Sequence, residues 1–155
     1  EARPAAGGGP GTWDGGVAVV QAMLADLGVA PGTVGVENGS GLFDATSVPA
    51  SVVAKVLVAA WRDFRIGPEL AGALAIGGVD GTLRRRFGGP AVRGRVRGKT
   101  GTLAAVSSLA GLVGVDGLRP LAFVVLINEL PPGTRADAKH LQELVASYAL
   151  AYATP

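Results

Sequence analysis

The sequence contains no cysteine, which excludes disulfides and thiolate metal sites. Its only histidine is His140, so a Ser-His-Asp relay could run through that residue alone. His140 falls in a helical pattern near the C-terminus and reads as a helix-surface residue. Aromatics make up 5% of the chain, so the core must be built mainly from Val, Leu and Ala. No stretch reaches ~18 uninterrupted apolar residues, and no transmembrane segment is expected. Signal peptide and initiator Met are both lacking. The chain starts at Glu1 with a loop-like stretch from Pro4 to Gly11, which reads as a chain cut from something longer.

What is present is 155 residues with 48% hydrophobic content and 25 glycines. That suffices for one modest core, in one domain or part of one. The formal charge is only +2, but the cations are unevenly placed. Arg84, Arg85, Arg86, Arg93, Arg95, Arg97 and Lys99 follow one another without an intervening acid. A nucleic-acid surface would interleave aromatics with such a patch. Phe87 alone does so, and no nucleic-acid partner is expected. Arg84 to Arg86 read as a solvated helix face.

Hydrophobic spacing gives the coarse order. Residues 1 to 12 are a flexible lead, and Trp13 is expected to pack on the body that follows. Val17, Val20, Leu24 and Leu27 predict a helix that Gly28 stops. Thr33 to Glu37 read as a short extended piece, followed by the turn Asn38-Gly39-Ser40-Gly41. Ser47 can cap a second helix striped by Val52, Val53, Val56, Leu57 and Ala60, with Pro49 in its first turn. Gly67-Pro68 ends that region. Leu70 to Ile76 form a short apolar run, and Asp80 can cap a small helix from Thr82 to Phe87.

The period then changes to two. Val92, Gly94, Val96 and Gly98 alternate with Arg93, Arg95, Arg97 and Lys99, which predicts a strand with one basic face. Val106 to Val115 predict a second strand, Asp116-Gly117 a hairpin turn, and Leu121 to Ile127 a third strand buried on both faces. Short connections favour antiparallel pairing. Leu141, Leu144, Val145 and Tyr148 stripe a last helix expected to pack on the sheet. The fold class is α/β of the α+β type, an antiparallel sheet flanked by helices.

Lys99-Thr100-Gly101 is the sharpest chemical signal. The tripeptide alone is weak, since ordinary residue usage produces it in about one in thirty chains of this size. A Lys on a strand surface and a Gly in a bulge would account for it equally. Yet the arrangement suits carboxylate chemistry. The Lys ammonium can anchor a carboxylate and influence a serine's proton, and the Thr hydroxyl can donate to the same carboxylate. Gly101 leaves room for a substrate backbone along the strand edge. The N–H after it can point at a developing oxyanion.

The context sharpens the signal. Asn38-Gly39-Ser40-Gly41-Leu42, Gly78-Val79-Asp80-Gly81-Thr82-Leu83, Gly94 to Gly114, and Leu121 to Asn128 stand in the order of four blocks. From about Trp13 to Tyr148 the chain resembles the class C low-molecular-mass penicillin-binding proteins, the D-alanyl-D-alanine carboxypeptidase/endopeptidase family S13. The resemblance implies a serine β-lactamase/transpeptidase-like fold, of which residues 13–155 would be the C-terminal part. It implies a serine-type peptidase acting on peptidoglycan stem peptides and acylated by β-lactams, in the periplasm or otherwise outside the cytoplasm, with no cofactor or metal. Lys99 and Thr100 would bind the substrate carboxylate, Gly101 would give clearance, and Thr102 would supply an oxyanion-hole N–H. Ser40 and Leu42 would lie on a loop near the cleft, and Leu103 would touch the acyl-donor side chain.

The family's other two motifs, Ser-x-x-Lys and Ser-x-Asn, have no counterpart in this sequence. Ser51 comes nearest, but Ala54 stands three residues on and Lys55 four. An upstream part of the same protein is the partner the resemblance implies, and this chain alone is expected to be inactive. The family's Ser-Leu-Pro is replaced by Ala73-Leu74-Ala75, and its Ser-Arg pair by Phe43-Asp44, which leaves fine substrate preference open. A non-catalytic peptide-binding homologue and a serine β-lactamase are the alternative readings.

Overall fold

A computed structural model of the chain describes residues 12–41, 46–114 and 119–154. They form two compact units, divided at Val52 and Val53. Within the predicted lead only Thr12 is described, and it is a helix cap. Its hydroxyl accepts from Gly15 N at 3.1 Å, so α1 (Trp13–Asp26) begins a turn earlier than its apolar spacing indicated. Gly28, at φ 71°, ends it as predicted. Leu24 and Val29 are buried, whereas Trp13 is 76% exposed and does not pack as expected. The extended piece is reduced to one bridge, in which the backbones of Gly35 and Ser47 bond at 3.0 and 2.9 Å. Ser47, expected as a helix cap, serves that bridge instead, and α2 (Ala50–Arg62) opens just after Pro49.

In the second unit α2 ends at a turn built on Asp63. Its carboxylate accepts from Arg65 N, Nε and Nη2 at 2.9, 3.0 and 2.7 Å. Those bonds favour the charged form and hold this carboxyl down to about 2. Gly67-Pro68 does not close the region but opens α3 (Gly67–Ala73). Proline at a helix start costs no hydrogen bond, because that N–H would lack an intrahelical partner anyway. Gly67 is required by close approach, since a Cβ there would lie 2.6 Å from Trp61 O. A two-residue strand that the sequence did not announce, β1 (Ala75–Ile76), follows. Asp80 stands at the N-cap position of a 3-10 turn, but its side chain makes no capping bond there. Its carboxylate instead accepts from Ile76 N at 2.6 Å. The predicted helix after it shrinks to a 3-10 turn, Gly81–Leu83, and Phe87 sits at φ 58°, outside helical geometry.

The strands follow the period-two reading with shifted ends. β2 (Val96–Leu103) starts later than Val92, because residues 91–95 form turns, and runs on through the Lys-Thr-Gly motif. β3 is Val106–Val113 and β4 is Leu121–Ile127. Asp116-Gly117 and Val115 lie outside the described residues. The sheet is antiparallel in the order β1-β2-β3-β4. On β4 only Phe123 is buried, so the expectation of burial on both faces fails. Among the described strands β4 stands at the sheet edge, with β3 alone beside it.

α4 (Arg135–Ala153) packs on β3 and β4, but on another face than its hydrophobic stripe predicted. Ala138, Gln142, Ala146 and Leu150 are buried, while Leu141, Leu144, Val145 and Tyr148 are exposed. The buried set repeats every four residues and presents two alanines to the sheet, which lets the helix axis come close. The core between them joins Leu83, Phe87, Val96, Leu109, Val113, Phe123, Ala146 and Leu150. Each large apolar side chain buried there contributes roughly 1.5–3 kcal/mol. Together they fix which face of β2 looks toward α4.

Candidate active site

β2 carries Lys99, Thr100, Gly101, Thr102 and Leu103 in succession, so their side chains leave on alternate faces. Val96, Gly98, Thr100 and Thr102 share the face that packs toward α4, cross-strand from Val113, Gly111, Leu109 and Ser107. Lys99, Gly101 and Leu103 lie on the other face, opposite Ala110, Ser108 and Val106. Lys99 is exposed, and its ammonium donates to Thr100 O at 2.5 Å. The Thr100 hydroxyl lies 3.1 Å from that of Thr82. The Lys99 ammonium and the threonine hydroxyls therefore leave opposite faces of one strand.

That edge is open. β1 covers β2 at Arg97 and Gly98 and stops, so Lys99 to Leu103 have no partner strand on that side among the described residues. A free stretch of backbone donors and acceptors is what an added peptide strand pairs with. Gly101 is bare for a reason the sequence did not show, because a Cβ there would collide with Ser108 Oγ across the β2–β3 pair. The hairpin beyond Leu103 is held from outside. Arg135 donates to Leu103 O and Ala104 O, both at 2.9 Å. Leu130 N donates to Ala105 O at 2.9 Å.

Beneath the threonine face lies a cavity of about 190 Å³. β2 and β3 contribute Thr100, Thr102, Ser107 and Ser108 to its wall, and Thr82, Arg86, Lys139 and Gln142 complete it. Sequence reasoning missed the last three. Arg86 was grouped with two solvated arginines, yet it is buried while Arg84 and Arg85 are exposed. It donates through Nε to Glu143 Oε1 at 2.7 Å and through Nη2 to Lys139 O at 2.9 Å, and it lies 5.5 Å from the Phe87 ring. Gln142 is fully buried, and its Nε2 donates to Ser107 Oγ at 2.9 Å. A signal for Gln142 existed, as a polar residue in the four-residue repeat Ala138, Gln142, Ala146, Leu150.

Of the remaining expected site residues, Ser40 lies in the first unit. Its N and Oγ both donate to Asn38 Oδ1, at 3.0 and 2.7 Å, which closes a tight side-chain turn. Leu42 lies outside the described residues. His140 is exposed on α4, as its helical spacing indicated. No helix among the described residues is long and apolar enough to cross a membrane.

The sequence pattern of the D-Ala-D-Ala carboxypeptidase 3 (S13) family matches residues 3–149. The chain belongs to that family. It is 36% identical over 130 residues to the D-alanyl-D-alanine carboxypeptidase of Actinomadura sp. (strain R39). It is 30% identical over 145 residues to Carboxypeptidase DacB of Mycolicibacterium smegmatis. These matches take in 77% and 90% of the chain but only 23% and 32% of the relatives, so the S13 chain spans about a quarter to a third of their length. Penicillin binding protein 4 (dacB) from Haemophilus influenzae shares the fold, with a TM-score of 0.68 and 25% identity over 88% of this chain and 33% of its own. The same protein complexed with a novel β-lactam matches with a TM-score of 0.64 and 26% identity, over 92% of this chain and 33% of that one. The mixed α and β fold with its antiparallel sheet is thus that of a penicillin-binding protein, as the sequence blocks implied.

Proposed function

We propose that this chain supplies the carboxylate-binding and oxyanion-stabilising side of a serine-type D-Ala-D-Ala carboxypeptidase/endopeptidase. Residues 13–155 form the C-terminal part of its transpeptidase-like domain, and the nucleophile comes from the upstream part of the same protein. The observation that carries this reading is the open β2 edge beginning at Lys99, in a chain of the S13 family. A stem peptide ending in D-alanyl-D-alanine lies along that edge. Lys99 and Thr100 hold its terminal carboxylate, and Thr102 N–H faces the oxygen on which charge develops. Leu103 borders the acyl-donor side chain. The serine attacks the carbonyl of the penultimate residue, D-alanine leaves with the proton, and water then releases the acyl group. β-Lactams acylate the same serine. The substrate places the protein in the periplasm or elsewhere outside the cytoplasm.

The test is Lys99→Ala in the full-length protein. Loss of both carboxypeptidase activity and fluorescent-penicillin labelling is expected, on the order of 10²-fold for removal of one positioned charge at a reacting centre. Unchanged values of both overturn the reading. The lack of Ser-x-x-Lys and Ser-x-Asn in this chain supports a second reading, a homologue that binds wall peptides without cleaving them. A Ser-x-x-Lys upstream in the gene selects the enzyme, and its absence selects the binder.

A further inference from the structure

The free end of β2 is held by a residue that belongs to none of the sequence blocks. β2 ends at Leu103 and β3 begins at Val106, so the turn between them is Ala104-Ala105. Arg135, the first residue of α4, donates through Nη2 to Leu103 O and Ala104 O, both at 2.9 Å. Its Nη1 reaches Val106 O at 3.5 Å. The remaining carbonyl, Ala105 O, accepts from Leu130 N at 2.9 Å. Every carbonyl from Leu103 to Val106 is therefore taken by the segment that leads from β4 into α4. That segment is braced in turn, since Thr134 Oγ1 donates to Pro131 O at 2.8 Å.

Arginine at this point runs against helix preference. A cation at the first position of a helix opposes its dipole, which favours acids there. Among the described residues the polar partners of Arg135 are these carbonyls and no carboxylate. Bonds from an ionised donor are roughly twice as strong as neutral ones. A planar guanidinium also serves two acceptors from one fixed fork, which an ammonium on a flexible stem does not. The side chain is thus suited to fixing a turn, at some cost to the helix that carries it.

The turn adjoins the stretch of sheet with the fewest other constraints. From Lys99 to Leu103 the strand has β3 on one side and no strand on the other among the described residues. Backbone of that kind opens locally at low free energy. Groups at a reacting centre must hold their geometry to within about 0.5 Å. We propose that Arg135 is a positioning residue for the peptidase reaction, which fixes the end of β2 so that Thr102 N–H and the Leu103 side chain keep their places. The proposal rests on the peptidase reading and deepens it. Arg135 touches no substrate and acts through the backbone of Leu103 and the turn.

The experiment compares the full-length protein with its Arg135→Met and Arg135→Lys variants on a peptide ending in D-alanyl-D-alanine. Fluorescent penicillin bound at saturation counts the folded sites, so kcat is expressed per competent site. It is expected to fall about tenfold in Arg135→Met, short of the roughly 10²-fold that a 1 Å misplacement costs, and about threefold in Arg135→Lys, which keeps the charge without the fork. KM is expected to stay within about twofold, as for an interaction that matters only in the transition state. An unchanged kcat per site, or a raised KM with kcat unchanged, overturns the proposal. Where Arg135→Met does not fold by circular dichroism, Arg135→Lys decides. Loss of fold in both overturns the proposal as well, because Arg135 then serves stability alone. Unchanged Arg135 variants beside a defective Lys99→Ala leave the peptidase reading standing. An unmodified protein that neither cleaves the peptide nor binds penicillin overturns that reading, and the positioning role with it.

Discussion

Arg84, Arg85 and Arg86 are identical letters in a row, and the structure gives them opposite fates. Arg84 and Arg85 are exposed, whereas Arg86 turns inward to Glu143, beside Phe87. Nothing local separates them, because the partner that captures Arg86 lies on a helix far along the chain. Arg86 is buried while Glu143 is half-buried, so Arg86→Ala should cost about 1–3 kcal/mol through the lost charge-assisted bonds. Arg84→Ala should stay within about 0.5 kcal/mol. Urea denaturation of the three proteins checks this, and equal midpoints for both variants would contradict the assignment. Gln142 makes the same point. A glutamine in an apolar helix repeat is visible in the sequence, but its partner Ser107 is visible only once β3 and α4 are packed.

At the scale of elements, the alternation around Lys99 was legible because period two survives whatever surrounds a strand. Val96 and Gly98 are buried and Lys99 is exposed, as read. Start points were less legible. Turns replaced the first residues of the predicted strand, and β1 is too short to carry a pattern. The face of α4 was misread because hydrophobicity favours Leu141, Leu144 and Tyr148, while the sheet accepts the smaller Ala138 and Ala146. Gly101 adds a test of pairing. Its missing Cβ answers to Ser108 on the neighbouring strand as well as to any substrate. Gly101→Ala should destabilise by about 1–3 kcal/mol through overpacking. Ser108→Ala in the same chain should recover much of that, with a coupling of about 0.5–3 kcal/mol by double-mutant cycle. Additive effects would mean that Ser108 rotates away freely and that the glycine serves the open edge alone.

For the molecule as a whole, the four sequence blocks led to the family because they span the chain, and the S13 match over residues 3–149 covers the same ground. The proposed division of labour in the site rests on motifs that the sequence lacks. Covalent catalysis needs a nucleophile with a base in hydrogen-bond reach. No serine in this sequence has a lysine three residues on. Ser107 is buried and its hydroxyl accepts from Gln142, while Ser108 sits against Gly101. The 155-residue chain incubated with penicillin should therefore keep its own mass. The full-length protein should gain the mass of one bound β-lactam on a serine outside these residues. An adduct on the short chain would locate a nucleophile that neither motif nor geometry identifies, and would return the Lys-Thr-Gly strand from half of an active site to a whole one.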